Sequence, residues 1–251
     1  GPNTDPNTYF DFFYNPDQHD TTAKTFTFPI YGSGEKTIPA RAAADGMEEG
    51  YDFIKVYNHI PQEGYNGIVD TAKRLDMPLV GHTVRAPGIK GAMAAGQHLA
   101  HMEEVVYGAF PDDLDESKIP ALAQEMKASG ISIIATLYVF KNIYLQVEDL
   151  DSRLSLPGVE YMPESMTRLW QADRNEYITG GWTKEKVARI IRPQHAFHQK
   201  LVKAFHEAGV PILLGTDVGI PCLVAGDSTH RELHELVDAG LSPFDALAAG
   251  T

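Results

Sequence analysis

Cysteine is almost absent from the 251 residues, where Cys222 stands alone. One cysteine excludes an intrachain disulfide framework and any cysteine-rich zinc module. Basic residues are also scarce, 21 against 34 acidic, for a formal net charge of −13. That balance argues against nucleic acid or an anionic membrane surface as the main partner, since both reward clustered Lys and Arg. The most apolar stretch, 131–140, falls far short of the roughly 20 residues a membrane helix needs. Missing too are Gly-x-Gly-x-x-Gly and Gly-x4-Gly-Lys-Ser/Thr, so a nucleotide cofactor has no support. No Gly-x-Ser-x-Gly occurs, and Cys222 has no identifiable base beside it. The remaining mixture, 43% hydrophobic and 22% charged, is that of a soluble globular chain. Its length buries a large core, as one α/β domain or as two smaller ones.

Residues 1–38 hold Asn-Pro and Asp-Pro turn signals and no sustained period, and predict a loop-rich lead-in with at most one strand. They read like the middle of a protein, although Gly1-Pro2 also fits a cleavage scar. From Ile38 the pattern becomes regular. Helical patterns run over 39–50, 64–75, 88–95, 119–129, 184–208 and 229–239, and one more opens at Ser242-Pro243. Short apolar strands are expected near 53–57, 78–82, 97–102, 131–139 and 210–216. Their alternation with amphipathic helices predicts βα units and a parallel sheet buried on both faces. Segment 141–182 breaks the alternation and carries Tyr144, Tyr161, Trp170, Tyr177 and Trp182. Such an insertion is expected to form a lid or a pocket wall.

Polar residues stand at the C-terminal ends of these strands. Phe53-Ile54-Lys55-Val56-Tyr57 sets a lysine in an apolar strand. Leu79-Val80-Gly81-His82 and Leu99-Ala100-His101-Met102-Glu103-Glu104 bring histidines to strand ends, and Ile212-Leu213-Leu214-Gly215-Thr216-Asp217 ends on an aspartate. Singly, each has a plain reading: a hydrogen-bonded histidine, or a lysine whose amine reaches water. Together, four such residues at equivalent ends point to the catalytic face of a parallel barrel.

In this order, Phe-Ile-Lys-Val-Tyr, Gly-His-Thr-Val, Leu-Ala-His-Met-Glu-Glu and Gly-Thr-Asp, the chain resembles the amidohydrolase superfamily. Within it, the imidazolonepropionase-like and Xaa-Pro dipeptidase-like branch is most similar. The resemblance extends to Ala135-Thr136-Leu137, to His230-Arg231-Glu232-Leu233 and to Ala239-Gly240-Leu241-Ser242-Pro243, covering most of 45–140 and 184–251. It implies a (β/α)8 TIM-type barrel with one or two divalent metal ions, zinc by preference. By position it places Lys55 on strand 4, His82 on strand 5, His101 on strand 6 and Asp217 on strand 8. His98 competes with His101, which is preferred for the acidic pair that follows it. The family also has a His-x-His pair on strand 1, and none occurs here; the first histidine, His19, stands alone. The chain is therefore expected to be an internal portion of a longer protein. On that reading 1–251 is a partial barrel without its N-terminal strands.

The resemblance further implies that Lys55, flanked by apolar neighbours and neutral, takes up CO2 and becomes a bridging carbamate. His82, His101 and Asp217 complete the metal ligands, and Asp217 moves the proton as general base, then acid. Arg85 is a candidate partner for a substrate carboxylate, with a solvated rim as the alternative. Tyr57 and Tyr138 are pocket walls or core residues. The expected enzyme cleaves an amide bond, in a dipeptide or N-acyl amino acid, with a metal-bound hydroxide. Cyclic amides, carbamates, lactones and phosphotriesters are the alternative substrates. A scaffold barrel that has lost its metal site is the alternative of another class. The expected partner is a small-molecule substrate, with no nucleic acid and no membrane; a homo-oligomer and the cellular compartment stay open.

His230-Arg231-Glu232-Leu233-His234 has histidines at i and i+4, but Arg231 occupies the place where a zinc-peptidase helix needs glutamate. Its histidines are expected in solvent or packing. His195, His198 and His206 are expected on a helix surface, Glu103-Glu104 and 112–116 on a solvated rim, and Cys222 is expected to be inert.

Overall fold

The computed structural model describes residues 52–251. The loop-rich 1–38, the helical pattern at 39–50 and His19 lie outside the described residues. The chain divides into two compact units, Gly1–His98 and Leu99–Thr251.

In the first unit, β1 (Ile54–Val56) pairs in parallel with β2 (Leu79–Gly81), Lys55 opposite Val80 and Val56 opposite Gly81. The crossover between them is α1 (Gln62–Leu75), whose Tyr65, Ile68, Val69 and Ala72 pack with Val56, Ile60, Leu79 and Val84. Each fully buried side chain of this kind is worth about 1.5–3 kcal/mol. Gly81 adopts φ +137°, and a Cβ there would lie 2.1 Å from the carbonyl oxygen of Val56. Only glycine allows β1 and β2 to approach so closely. After α2 (Gly88–Ala95), the fully buried Gln97 accepts a hydrogen bond from the Tyr65 hydroxyl at 2.9 Å. Its amide donates to the carbonyl of His82 at 2.9 Å. This chain of bonds ties the end of β2 to α1, and burial pushes the Tyr65 hydroxyl up to about 12.

The second unit takes its strands from β3 (His98–Ala100), which begins at the boundary, β4 (Ile133–Ile134) and β5 (Ile212–Leu213). They pair in parallel, Leu99 with Ile133 and Ile133 with Ile212. Around them lie α3 (Met102–Ala109), α4 (Ile119–Ser129), α5 (Leu137–Glu148), α6 (Arg192–Ala208), α7 (Asp227–Asp238) and α8 (Pro243–Ala248). Leu99, Met126, Ile133, Leu137, Leu201 and Leu236 are fully buried. Among the described residues no helix is long and apolar enough to cross a membrane. The arrangement is a parallel α/β fold.

Two expectations change. The strand expected over 131–139 is only Ile133–Ile134, because Thr136 turns left-handed at φ 47° and α5 starts at Leu137. The helix expected over 184–208 is interrupted by a π turn at Val187–Ile191. Pro193, with no N–H and a ring that crowds the carbonyl four residues back, explains the interruption there. Segment 141–182 is mostly helical: α5 continues to Glu148, and Leu150–Leu154, Glu164–Thr167 and Glu176–Thr179 follow as short helices. Trp170 of this segment is buried beside Cys222 and Val224.

Candidate active site

In the first unit the site residues leave adjacent parallel strands. The His82 N–H donates to the Val56 carbonyl at 2.9 Å, so the loops after β1 and β2 start side by side. The rings of Tyr57 and His82 have centroids 4.2 Å apart. Arg85 is exposed, and its N–H donates to the Asn58 carbonyl at 3.1 Å, joining the two loops. Lys55 corrects the sequence reading, which buried its amine among Phe53, Ile54 and Val56. Successive strand residues face opposite sides. Val56 is fully buried under α1, whereas Lys55 and Phe53 are both exposed.

In the second unit three consecutive strands are each followed, one to four residues on, by a non-glycine residue with positive φ. His101 follows β3 at φ 73°, Thr136 follows β4 at φ 47°, and Asp217 follows β5 at φ 49°. Such backbone costs on the order of 1–3 kcal/mol per residue and persists only where the surroundings enforce it, which is typical of functional sites. The three side chains meet. His101 Nδ1 lies 3.0 Å from Thr136 Oγ1, and His101 Nε2 lies 4.0 Å from Asp217 Oδ2. His101 and Thr136 are buried, while the Asp217 side chain is 37% exposed. One side of the site is therefore open to solvent.

Carboxylates surround this group. Glu103 and Glu104, expected on a solvated rim, turn inward: Glu104 is 2% exposed, and Glu103 Oε2 is buried with no hydrogen-bond partner among the described residues. Burial, and then Glu104, Asp217 and Glu232, push the Glu103 carboxyl up to about 8. The acidic run 112–116 does lie mostly exposed. Glu232 is fully buried, and its two oxygens accept the N–H groups of Leu137 at 2.8 Å and Tyr138 at 2.7 Å. Burial pushes its carboxyl up to about 8, against the lowering effect of those two bonds.

Tyr138 follows the core reading. It is not at a strand end but the second residue of α5, 4% exposed, and its hydroxyl accepts from the Arg153 guanidinium. Arg231 sits 5.6 Å from its ring centroid, so Tyr138 is a core residue. His230 and His234 are exposed, as expected for a helix without the peptidase glutamate. His195 and His198 are not on the surface: they are 7% and 1% exposed. His195 Nε2 is 2.8 Å from Glu235 Oε2. Cys222 is buried, and burial pushes its thiol up to about 11.

Sequence reasoning quoted Thr136 and Glu232 within motifs but gave neither a role in the site. Thr136 was hidden in an apolar run read as strand. Glu232 carried a usable signal, for Ser228, Glu232, Glu235, Leu236 and Ala239 recur at the spacing of one helix face. Carboxylates on an apolar stripe announce buried, bonded carboxylates.

The donor chemistry fits a divalent cation in part. An imidazole nitrogen and a carboxylate oxygen 4.0 Å apart match two ligands that each sit about 2.0–2.2 Å from one ion. Among the described residues no three His, Cys, Asp or Glu side chains converge on a common point.

No family model and no curated protein matches the chain. Solved structures do. Bottromycin amidohydrolase is similar at 26% identity and a TM-score of 0.66, over 87% of this chain and 49% of its own. The ochratoxinase of A. niger is similar at 24% identity and 0.56, over 86% and 42%. A Xaa-Pro dipeptidase with methionine bound in its active site follows at 20% and 0.55, over 89% and 48%. The last two likenesses show the fold alone. The chain spans about half the length of the solved structures it matches.

Proposed function

We propose that the chain is part of a metal-dependent hydrolase of the amidohydrolase superfamily, acting on an amide bond in a dipeptide or N-acyl amino acid, a reading supported by its likeness in fold to bottromycin amidohydrolase. In this reading the parallel strands are part of a (β/α)8 barrel. The observation that carries it is the meeting of His101 and Asp217, 4.0 Å apart on left-handed strand ends.

His101 and Asp217 would hold a divalent cation, zinc by preference. When bound, the cation supplies Lewis acidity and lowers the pKa of water to about 7. The protein's own groups do the rest. The open flank of Asp217 lets its carboxylate take the proton of the attacking water and return it to the leaving amine. In this reading Arg85, exposed beyond β2, would receive a substrate carboxylate, and Tyr57 would be a wall of the substrate pocket.

The test uses full-length protein loaded with zinc and assayed for amine release from N-acyl amino acids and dipeptides. Hydrolysis that a chelator abolishes and added metal restores supports the proposal. A zinc-loaded protein that leaves every amide intact overturns it. Cleavage of lactones, carbamates or phosphotriesters in the same assay moves the assignment to those substrates, and inertness toward all of them favours a scaffold.

A further inference from the structure

The loop that leaves β5 is strained at both ends. Asp217 starts it at φ 49°, Gly219 stands at φ 147° and Cys222 closes it at φ 63°. A non-glycine residue keeps such a conformation only where its surroundings enforce it. Inside the loop the Ile220 N–H donates to the Asp217 carbonyl at 3.4 Å, and the Leu223 N–H to the Ile220 carbonyl at 3.3 Å. These turns couple the placing of Pro221 to that of Asp217. Pro221 is held from outside the loop. It is buried, and its carbonyl accepts the side-chain amide of Asn142 at 2.7 Å and that of Gln146 at 3.4 Å. Both donors stand on α5, one turn apart, and both are fully buried.

A side-chain amide can be turned end for end, so its direction is set by the partners at its two ends. Segment 141–182 supplies those partners. Arg153, buried in the short helix Leu150–Leu154, donates to Asn142 Oδ1 at 3.3 Å and to the Tyr138 hydroxyl. A guanidinium has no acceptor, so the Asn142 oxygen faces Arg153 and its NH2 faces Pro221. Asn175 Nδ2 donates to Gln146 Oε1 at 2.7 Å and fixes that amide in the same sense. Asn175 cannot turn either. Its Oδ1 accepts the N–H groups of Tyr177 at 3.0 Å and Ile178 at 3.4 Å, at the start of the short helix Glu176–Thr179. Asn142, Gln146 and Asn175 are all fully buried, where breaking one bond leaves its partner unpaired at a cost. A continuous relay thus runs from segment 141–182 to the loop that Asp217 begins.

We propose that Asn142 and Gln146 are positioning residues for Asp217: with their amides locked by Arg153 and Asn175, they clamp the Pro221 carbonyl and hold the loop that keeps Asp217 beside His101. Segment 141–182 is then a buttress of the site rather than a cover over it. This rests on the proposed function only for the proton that Asp217 carries. The clamp itself is a property of the second unit and is read without turnover, because the buried Cys222, next to Pro221, reports whether the loop opens.

The test uses full-length, zinc-loaded protein, two clamp variants and one control. Asn142→Asp keeps the acceptor for Arg153 and turns an oxygen, not a donor, toward the Pro221 carbonyl. Gln146→Met keeps the length of the side chain and removes its donor. Met126→Ala truncates a buried residue of α4, outside the relay, and lowers stability without breaking the clamp. The first readout is the rate at which iodoacetamide alkylates Cys222, followed on its peptide by mass spectrometry. Asn142→Asp is expected to raise this rate at least about 10-fold, and Gln146→Met by less, because its bond is the longer. Met126→Ala is expected to raise it less than either, even where its unfolding midpoint falls further. The second readout is kcat and KM on the amide that wild type cleaves best. Asn142→Asp is expected to lower kcat about 10-fold with KM within about twofold, while Met126→Ala keeps the wild-type kcat. Alkylation no faster than in the control overturns the clamp, and faster alkylation at a wild-type kcat overturns the positioning of Asp217. Should Asn142→Asp fail to fold, Gln146→Met decides by the same two readouts. A wild type that cleaves no amide, with alkylation accelerated in the clamp variants alone, defeats the proposed function and leaves the clamp standing.

Discussion

Asp217 Oδ2 faces His101 Nε2 at 4.0 Å, the aspartate more than a third exposed and the histidine buried. The imidazole is thus fixed by its surroundings while the carboxylate keeps a solvent-facing flank. The proposed role of Asp217, a ligand that also carries a proton, needs that flank. Asp217→Asn keeps an oxygen donor and loses the proton acceptor. It is expected to lower kcat by about 10²–10⁴-fold while zinc content, measured by atomic emission, stays near the wild-type level. A wild-type kcat would sink the role assigned to Asp217.

Gly81 shows how the first unit depends on close backbone approach. A methyl at this position would meet the Val56 carbonyl oxygen at 2.1 Å and its nitrogen at 2.8 Å, both backbone atoms that cannot swing aside. Gly81→Ala is expected to separate β1 from β2 and to cost more than about 3 kcal/mol. Gly96 is the control. It too has positive φ, +71°, but among the described residues nothing lies within 4 Å of its Cβ position. Gly96→Ala should cost only about 1 kcal/mol. Urea denaturation compares the two, and equal losses would show that the conformation, not the contact, sets the cost.

Local signals in the sequence served well where turn chemistry agreed with periodicity. The helix over 88–95 coincides with α2, and that over 119–129 with α4, each closed by a left-handed glycine, Gly96 and Gly130. Periodicity failed where tertiary contacts overrode composition. Apolar, aromatic 137–140 resembles strand, and it is helix because Glu232, nearly a hundred residues on, caps its first N–H groups. The strand-end positions of His101 and Asp217 were legible, because an apolar run that stops on a polar residue is a one-dimensional pattern. Burial was not. Lys55 has apolar neighbours in sequence but shares its strand face with the exposed Phe53. His195 and His198 look like surface residues until Glu235 and Phe140 are packed against them.

His198 gives the second unit a pH dependence of known sign. Its ring packs edge-on against Phe140 with centroids 4.6 Å apart, and its Nε2 is buried without a hydrogen-bond partner among the described residues. Burial, and then the nearby His195, pull its pKa down to about 3. His195 itself is paired with Glu235, which also accepts from Lys141. A base with a lowered folded-state pKa contributes stability that is complete above the unfolded value, near 6.5, and lost as pH falls toward 3. The unfolded chain binds that proton first, so the loss amounts to at most about 1.4 kcal/mol per pH unit. His198→Leu removes the titration. Its urea-unfolding free energy is expected to fall less than that of wild type between pH 6.5 and 5. Parallel pH profiles in the two proteins would remove His198 from the account.

Lys55 separates a ligand from a surface residue. It is exposed on β1, opposite Val80 in the register, on the strand face away from the buried Val56. An exposed lysine contributes little to folding, so Lys55→Ala is expected to leave the denaturation midpoint within the change of about 0.5 kcal/mol usual for surface substitutions. Stability and metal content therefore decouple, which makes the variant informative. If the amine becomes a carbamate, its removal deletes an anionic ligand at no cost to the fold. The variant should then lose bound metal and amide hydrolysis together. A short carboxylic acid supplied in the buffer should restore part of both by filling the vacated space. If Lys55 only extends its stem into solvent, metal stoichiometry and turnover both stay at wild-type levels. Metal content decides, measured on folded full-length Lys55→Ala protein prepared in bicarbonate. Full stoichiometry would exclude Lys55 from the ligand set and leave His82, His101 and Asp217 as the candidates that remain.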